Sequence, residues 1–126
     1  MKKILIIEDE RALQETLRTY LEESEYDFNV LEALNGEEGL RHVNNHNPDL
    51  IILDLLMPHM DGFTVLQKLR NTANHYAFPI LVVSNLSHDA DVEQVYDLLH
   101  TNDRYFIKSN VQLACLVDEI YTLLEL

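Results

Sequence analysis

Short apolar runs recur along this chain, each followed by a stretch with helical periodicity, and that alternation narrows the possible folds sharply. The runs are Lys3 to Ile7, Phe28 to Leu34, Leu50 to Leu53, Pro79 to Ser84 and Arg104 to Ile107. The segments DLIILD and PILVVS are almost unbroken apolar stretches, as expected for strands covered on both faces. Between the runs, Leu13, Leu17, Tyr20 and Leu21 line one helical face, and Phe63, Leu66, Leu69 and Arg70 line another. Val92, Val95, Tyr96 and Leu99 repeat at the same spacing, as do Leu113, Leu116, Val117, Ile120 and Leu124. A shorter helix carrying Leu40 and Val43 follows Asn35-Gly36. Helix starts are signalled by Asp61, by His88-Asp89 and by Ser109-Asn110. Strict β-α alternation implies an α/β domain with one parallel sheet and helices on both faces, because right-handed crossovers place them there. The 126 residues suit a single domain over 1–126, with no internal linker and no output domain expected.

The charge balance restricts the partners. With 22 acidic and 9 basic residues the formal net charge is −13, which disfavours direct nucleic-acid binding and anionic membrane surfaces. It suits a divalent cation or a basic protein surface, although most of the acids serve solubility. Cys115 is the lone cysteine, so an intrachain disulfide and a cysteine-based zinc site are excluded. It is expected to be a small core hydrophobe on the last helix. No segment approaches the ~20 apolar residues of a membrane span, and the opening MKK is not expected to begin a signal sequence, having no apolar run long enough for one. A reducing cytoplasm is the expected compartment.

In open parallel sheets, ligands bind beyond the carboxyl ends of the strands. The first run ends in Glu8 and Asp9, the third in Asp54, the fourth in Ser84 and the fifth in Lys108. The second ends near Ala33-Leu34 and offers no such group. Crowded carboxylates repel and raise one another's pKa. An oxygen-rich acidic cluster is the ligand set that Mg²⁺ or Mn²⁺ prefers, and such an ion would relieve the repulsion. It would also leave Asp54 ionised, and carboxylate nucleophiles that become acyl phosphates are a known class.

The motifs IIEDE, LDLLMPHMDG, VVSN and YFIK, in that order, resemble the receiver domain of two-component response regulators over the whole chain. The resemblance implies a flavodoxin-like, doubly wound sheet in the order 2-1-3-4-5. It implies Asp54 as phosphoacceptor and a metal held by Glu8, Asp9, Asp54 and the backbone carbonyl of Leu56. Ser84 and Lys108 would bind phosphoryl oxygens, with Ser84 and Tyr105 acting in the switch. Pro58 and Gly62 would shape the loop after Asp54, with Gly62 where a side chain would strain the turn. The donor would be a sensor histidine kinase or a phosphotransfer protein. Output would pass to a downstream effector protein on a face that includes Tyr96, Tyr105 and Tyr121. The chain departs from the family where Ser109 replaces the proline after the lysine, so a trans Lys108–Ser109 peptide is expected, leaving Ser109 to cap the last helix. Asn85 stands where the family keeps a small residue, narrowing the approach to the site or positioning a water there. Leu56 and Leu86 would flank the water's approach and slow self-dephosphorylation.

Plainer readings accompany these. A lone strand-end Asp is commonly a cap or a solvated acid, Ser84 alone a cap, Lys108 alone a surface charge, and Tyr105 amphipathic packing. Convergence on one rim is what favours function. His42, His46, His59, His75, His88 and His100 read as scattered surface residues, and Met57 and Met60 as core filler. Alternatives to a switch are a phosphorelay intermediate, a small Mg²⁺-dependent phosphatase, a flavin or dinucleotide carrier, and a docking module that no longer accepts phosphate. The phosphatase needs an acid where Leu56 stands, and the carrier needs a glycine-rich loop where the acids stand. The intact acidic and basic set argues against the last. No external metabolite is expected to be turned over.

Overall fold

The structure, a computed structural model, describes residues 1–57, 60–70, 78–85, 89–99 and 102–126, with the backbone alone for 89–91. Pro58, Leu86 and four of the histidines (His59, His75, His88 and His100) lie outside the described residues. The elements alternate as β1 (Lys2–Ile7), α1 (Arg11–Glu22), β2 (Phe28–Ala33), α2 (Gly36–His46), β3 (Leu50–Leu53), α3 (Gly62–Arg70), β4 (Ile80–Ser84), α4 (Asp89–Leu98), β5 (Arg104–Ile107) and α5 (Leu113–Leu123). The strands form one parallel sheet in the order β2-β1-β3-β4-β5. This is the flavodoxin-like order expected. Among the described residues, no helix is long and apolar enough to cross a membrane.

Both faces of the sheet are covered, and the strand side chains divide between them with period two. Leu5, Ile7, Ile51, Leu53, Ile80 and Val82 point into a core closed by Val43, Val65, Leu66, Leu69 and Val95. Their neighbours Ile4, Ile6, Leu50, Ile52, Leu81 and Val83 point the other way, against Leu17, Leu21, Leu116, Val117 and Ile120. Thus α1 and α5 cover one face and α2, α3 and α4 the other, which is why the central strands read as continuous apolar runs.

Local signals set several boundaries. Asn35 Oδ1 accepts a hydrogen bond from the Glu38 N–H at 2.9 Å and caps α2, and Asp61 Oδ1 does the same for the Thr64 N–H of α3 at 2.9 Å. Arg70 and Asp103 form a buried ion pair. Asp103 also accepts from the Ile80 N–H at 2.8 Å, and Arg70 donates to the Phe78 carbonyl at 3.1 Å, so the pair ties the end of α3 to the starts of β4 and β5.

Four expectations need correction. Cys115 is exposed, because the buried stripe of α5 runs through Leu116, Val117 and Ile120. Tyr20 is exposed while Leu17 and Leu21 on the same helix are buried; the apolar stripe of α1 is narrower than the periodicity implied. Ser109 does not cap α5: Gln112 precedes the helix and no side chain caps it. Finally, His42 and His46 are not scattered; they stand one turn apart on α2 with ring centroids 5.4 Å apart.

Candidate functional site

The register of the sheet brings the strand ends together. Ile7 lies opposite both Ala33 and Leu53, so Glu8 and Asp54 leave neighbouring strands at the same level. The Glu8 N–H donates to the Ala33 carbonyl and the Asp54 N–H to the Ile7 carbonyl, each at 3.0 Å, which carries the ladder one residue beyond the strands. On the other side of β3, Ser84 lies opposite Ile107, and the Lys108 N–H donates to the Ser84 carbonyl at 3.0 Å.

Glu8, Asp9 and Asp54 each offer a carboxylate oxygen within 4.8 Å of the others. Glu8 and Asp54 are buried and Asp9 is the most open of the three. Lys108 reaches into this group: its Nζ lies 2.6 Å from Glu8 Oε1, 3.3 Å from Asp54 Oδ2 and 3.3 Å from Glu10 Oε1. Asp54 Oδ1 accepts the Leu56 N–H at 3.1 Å. The Leu56 side chain itself is 52% exposed.

Burial pushes the Glu8 carboxyl up to about 8, helped by the adjacent Asp54 carboxylate and opposed by Lys108. For Lys108, burial works against the charge, but the contacts with Glu8 and Asp54 outweigh it and hold the ammonium above its usual range. The charge contact of Glu8 with Lys108 is short, yet neither Glu8 oxygen accepts a well-directed hydrogen bond among the described residues. Ser84 Oγ is also buried without a hydrogen-bond partner there. Buried polar atoms left unmatched are costly. A hard cation bound by the carboxylates and an anionic group beside Ser84 and Lys108 would satisfy them. The donor set, all oxygen and with fixed negative charge, fits Mg²⁺ or Mn²⁺.

The loop after Asp54 depends on Gly62. Its N–H donates to the Leu55 carbonyl at 2.9 Å, and a Cβ there would overlap the Leu55 Cα and the Asp54 carbonyl. The need is for close approach, since no glycine has a positive φ. Tyr105 is partly buried against the α3–α4 side of the core, and its ring lies 5.9 Å from that of the exposed Tyr96. Met57 is buried and Met60 partly so, as expected. The Lys108–Ser109 peptide is trans.

Three contacts at the site escape a reading by motif. Gln14 is buried on α1 and donates to the Ala33 carbonyl at 2.9 Å, with longer contacts to the Ile6 and Glu8 carbonyls, bracing the end of β1. Its place three residues before Leu17 on the buried stripe is the signal that could have revealed it. Glu10, an exposed acid, shares Lys108. Asn85 Oδ1 accepts the Ser109 N–H at 2.8 Å.

The model of the response regulator receiver domain matches residues 4–119. The alkaline phosphatase synthesis transcriptional regulatory protein PhoP of Bacillus subtilis is 37% identical over 107 residues, covering 85% of this chain and 42% of that protein. The chain thus spans less than half the length of that relative. Among solved structures, the signal receiver domain of a signal transduction histidine kinase from Syntrophus aciditrophicus superposes with a TM-score of 0.83 at 30% identity, covering 99% of this chain and 91% of that one. The Mn²⁺-bound response regulator Rcp1 gives a TM-score of 0.78 at 25% identity, with 99% and 91% covered. With its strand order, its acidic rim and a family match over nearly its whole length, the chain belongs to the response regulator receiver domains of two-component systems.

Proposed function

We propose that the chain is a phosphoacceptor switch that takes a phosphoryl group on Asp54 from a phosphohistidine donor. The observation that carries this reading is the contact of Lys108 with both Glu8 and Asp54, beside a buried Ser84 hydroxyl that has no hydrogen-bond partner among the described residues. Asp54 Oδ2 attacks phosphorus and the histidine nitrogen leaves, so one P–N bond is exchanged for one P–O bond. Lys108 turns from the carboxylates to a phosphoryl oxygen, and Ser84 Oγ donates to another. Glu8, Asp9, Asp54 and the Leu56 carbonyl hold the cation, Mg²⁺ or Mn²⁺. When bound, that ion neutralises charge on the transferring phosphoryl oxygens.

Residues 1–126 act as one receiver domain, located in the cytoplasm with its kinase. A sensor histidine kinase or a phosphotransfer protein supplies the phosphoryl group, and an effector protein reads the result. Ser84 and Tyr105 couple the site to a face that includes the exposed Tyr96, with Tyr121 on α5. No external metabolite is turned over. A relay role, with the group passed on to another protein, is favoured by the exposed apolar Leu56 two residues after Asp54, which suits a long-lived acyl phosphate.

Incubation with a phosphorylated histidine kinase tests the reading. Label is expected to move to the wild-type chain within minutes and not to Asp54→Asn. No transfer from any kinase of the same cell, or undiminished transfer to Asp54→Asn, would overturn it.

A further inference from the structure

Two consecutive residues at the end of β4 hold two consecutive residues at the end of β5. The Ser84 carbonyl accepts the Lys108 N–H at 3.0 Å, as a ladder bond. The Asn85 side chain then accepts the Ser109 N–H at 2.8 Å, where the strands have already ended. The second bond exists only because residue 109 has an N–H to give; a proline there would have none.

We propose that Asn85 is a positioning residue for Lys108, acting through the Ser109 N–H. The inference rests on the phosphoacceptor reading of the site, because Lys108 is the cation that reading assigns to the phosphoryl group. The Lys108 side chain must span from the end of β5 to Glu8 and Asp54, with its Nζ 2.6 Å from one and 3.3 Å from the other. Its aim is set by the backbone on either side of its Cα. On the amino-terminal side the ladder fixes that backbone. On the carboxyl-terminal side residues 108–110 form a turn, and α5 does not begin until Leu113. The Asn110 and Val111 N–H groups both bond back to the Ile107 carbonyl, which closes the turn on itself. Among the described residues, the Asn85 contact is the hydrogen bond that ties this turn to β4 beyond Lys108.

The test combines loss, rescue and coupling. Four proteins are compared with wild type: Asn85→Leu, which keeps the bulk and loses the acceptor; Asn85→Asp, which keeps an acceptor oxygen; Ser109→Pro, which removes the N–H; and the Asn85→Leu/Ser109→Pro double variant. Acetyl phosphate with Mg²⁺ is the probe, and the maximal rate of phosphorylation is separated from the KM for the donor. One exposed hydrogen bond corresponds to a change of roughly 2- to 10-fold. Asn85→Leu is expected to lower the maximal rate by that factor, and Asn85→Asp to restore most of it. In the Ser109→Pro background, Asn85→Leu is expected to have no further effect. An equal loss in both backgrounds, or a rate unchanged by Asn85→Leu, overturns the proposal. Amide exchange at Ser109 supplies a readout independent of phosphorylation: it must quicken in Asn85→Leu and not in Asn85→Asp. If wild type takes no phosphate, the phosphoacceptor reading has failed, and unchanged Ser109 exchange would overturn the clamp separately.

Discussion

Lys108 Nζ lies nearer to Glu8, at 2.6 Å, than to Asp54, at 3.3 Å. The lysine thus sits first against the more buried acid, whose carboxyl is pushed up and keeps its proton, and only second against Asp54. A divalent ion bound by Glu8 would displace that proton and free Lys108 toward Asp54. The protonation of Glu8 and the aim of Lys108 are thus parts of one arrangement.

Stability of the metal-free chain should depend on pH through Glu8. Its carboxyl, ordinarily at 4.5, is pushed up to about 8 in the fold. Between these values the folded chain holds a proton that the unfolded chain has released. The contribution is fully present below the unfolded value and is lost as pH rises through the folded one. In magnesium-free buffer the urea midpoint should fall from acid toward mildly alkaline pH, by on the order of a few kcal/mol in stability. Glu8→Gln should remove most of that fall. An unchanged pH slope in the variant would show that Glu8 does not carry the proton.

Asp9→Ala should weaken Mg²⁺ binding. Asp9 is the most open acid of the cluster and can give an oxygen at little cost to the fold. Losing a ligand should cost at least about 10-fold in affinity, judged from the effect of removing even outer partners. Calorimetric titration with Mg²⁺ reads it directly. Equal affinity in Asp9→Ala and wild type would remove Asp9 from the ligand set.

Gly62→Ala should destabilise the chain and impair phosphorylation together. The added Cβ would overlap the Leu55 backbone and the carbonyl of Asp54 itself. Overpacking of this kind costs roughly 1–3 kcal/mol or more, and relief requires moving Asp54. Urea denaturation and the rate of labelling check the two effects. A variant of wild-type stability would show that the α3 start can shift freely.

The order of elements and the gathering of the strand-end residues on one rim were legible because each rests on a local signal. Apolar runs such as Ile4 to Ile7 name buried strands, and the parallel sheet then forces Glu8, Asp54, Ser84 and Lys108 onto one rim. Which acid Lys108 prefers was not legible, because it depends on burial depth and side-chain reach across 100 positions of sequence. The Arg70–Asp103 pair was hidden for a related reason: Arg70 could be placed on the helical face with Leu66 and Leu69, but its partner lies 33 residues further on. Cys115 and Tyr20 were misjudged because periodicity marks a helical face but not how wide a strip the sheet covers. Ser109 was assigned to a cap from its type alone, whereas its backbone N–H is claimed by Asn85 across the loop.

The acyl phosphate should be long-lived. The Leu56 side chain is half exposed two residues after Asp54 and can neither hydrogen-bond nor orient a water. Leu56→Asn should quicken hydrolysis by ~10-fold, by analogy with positioned polar groups in proton transfer. The decay of phosphorylated protein in Mg²⁺ buffer measures it. Decay within seconds in wild type, unchanged by the substitution, would show that Leu56 does not guard the site.

Peptide mapping by mass spectrometry after treatment with acetyl phosphate and Mg²⁺, with borohydride to trap the acyl phosphate, asks the most direct question of all. One phosphoryl group per chain is expected, on Asp54, dependent on Mg²⁺ and absent from Asp54→Asn. Trapping at another carboxylate, or equal incorporation in Asp54→Asn, would contradict Asp54 as the phosphoacceptor.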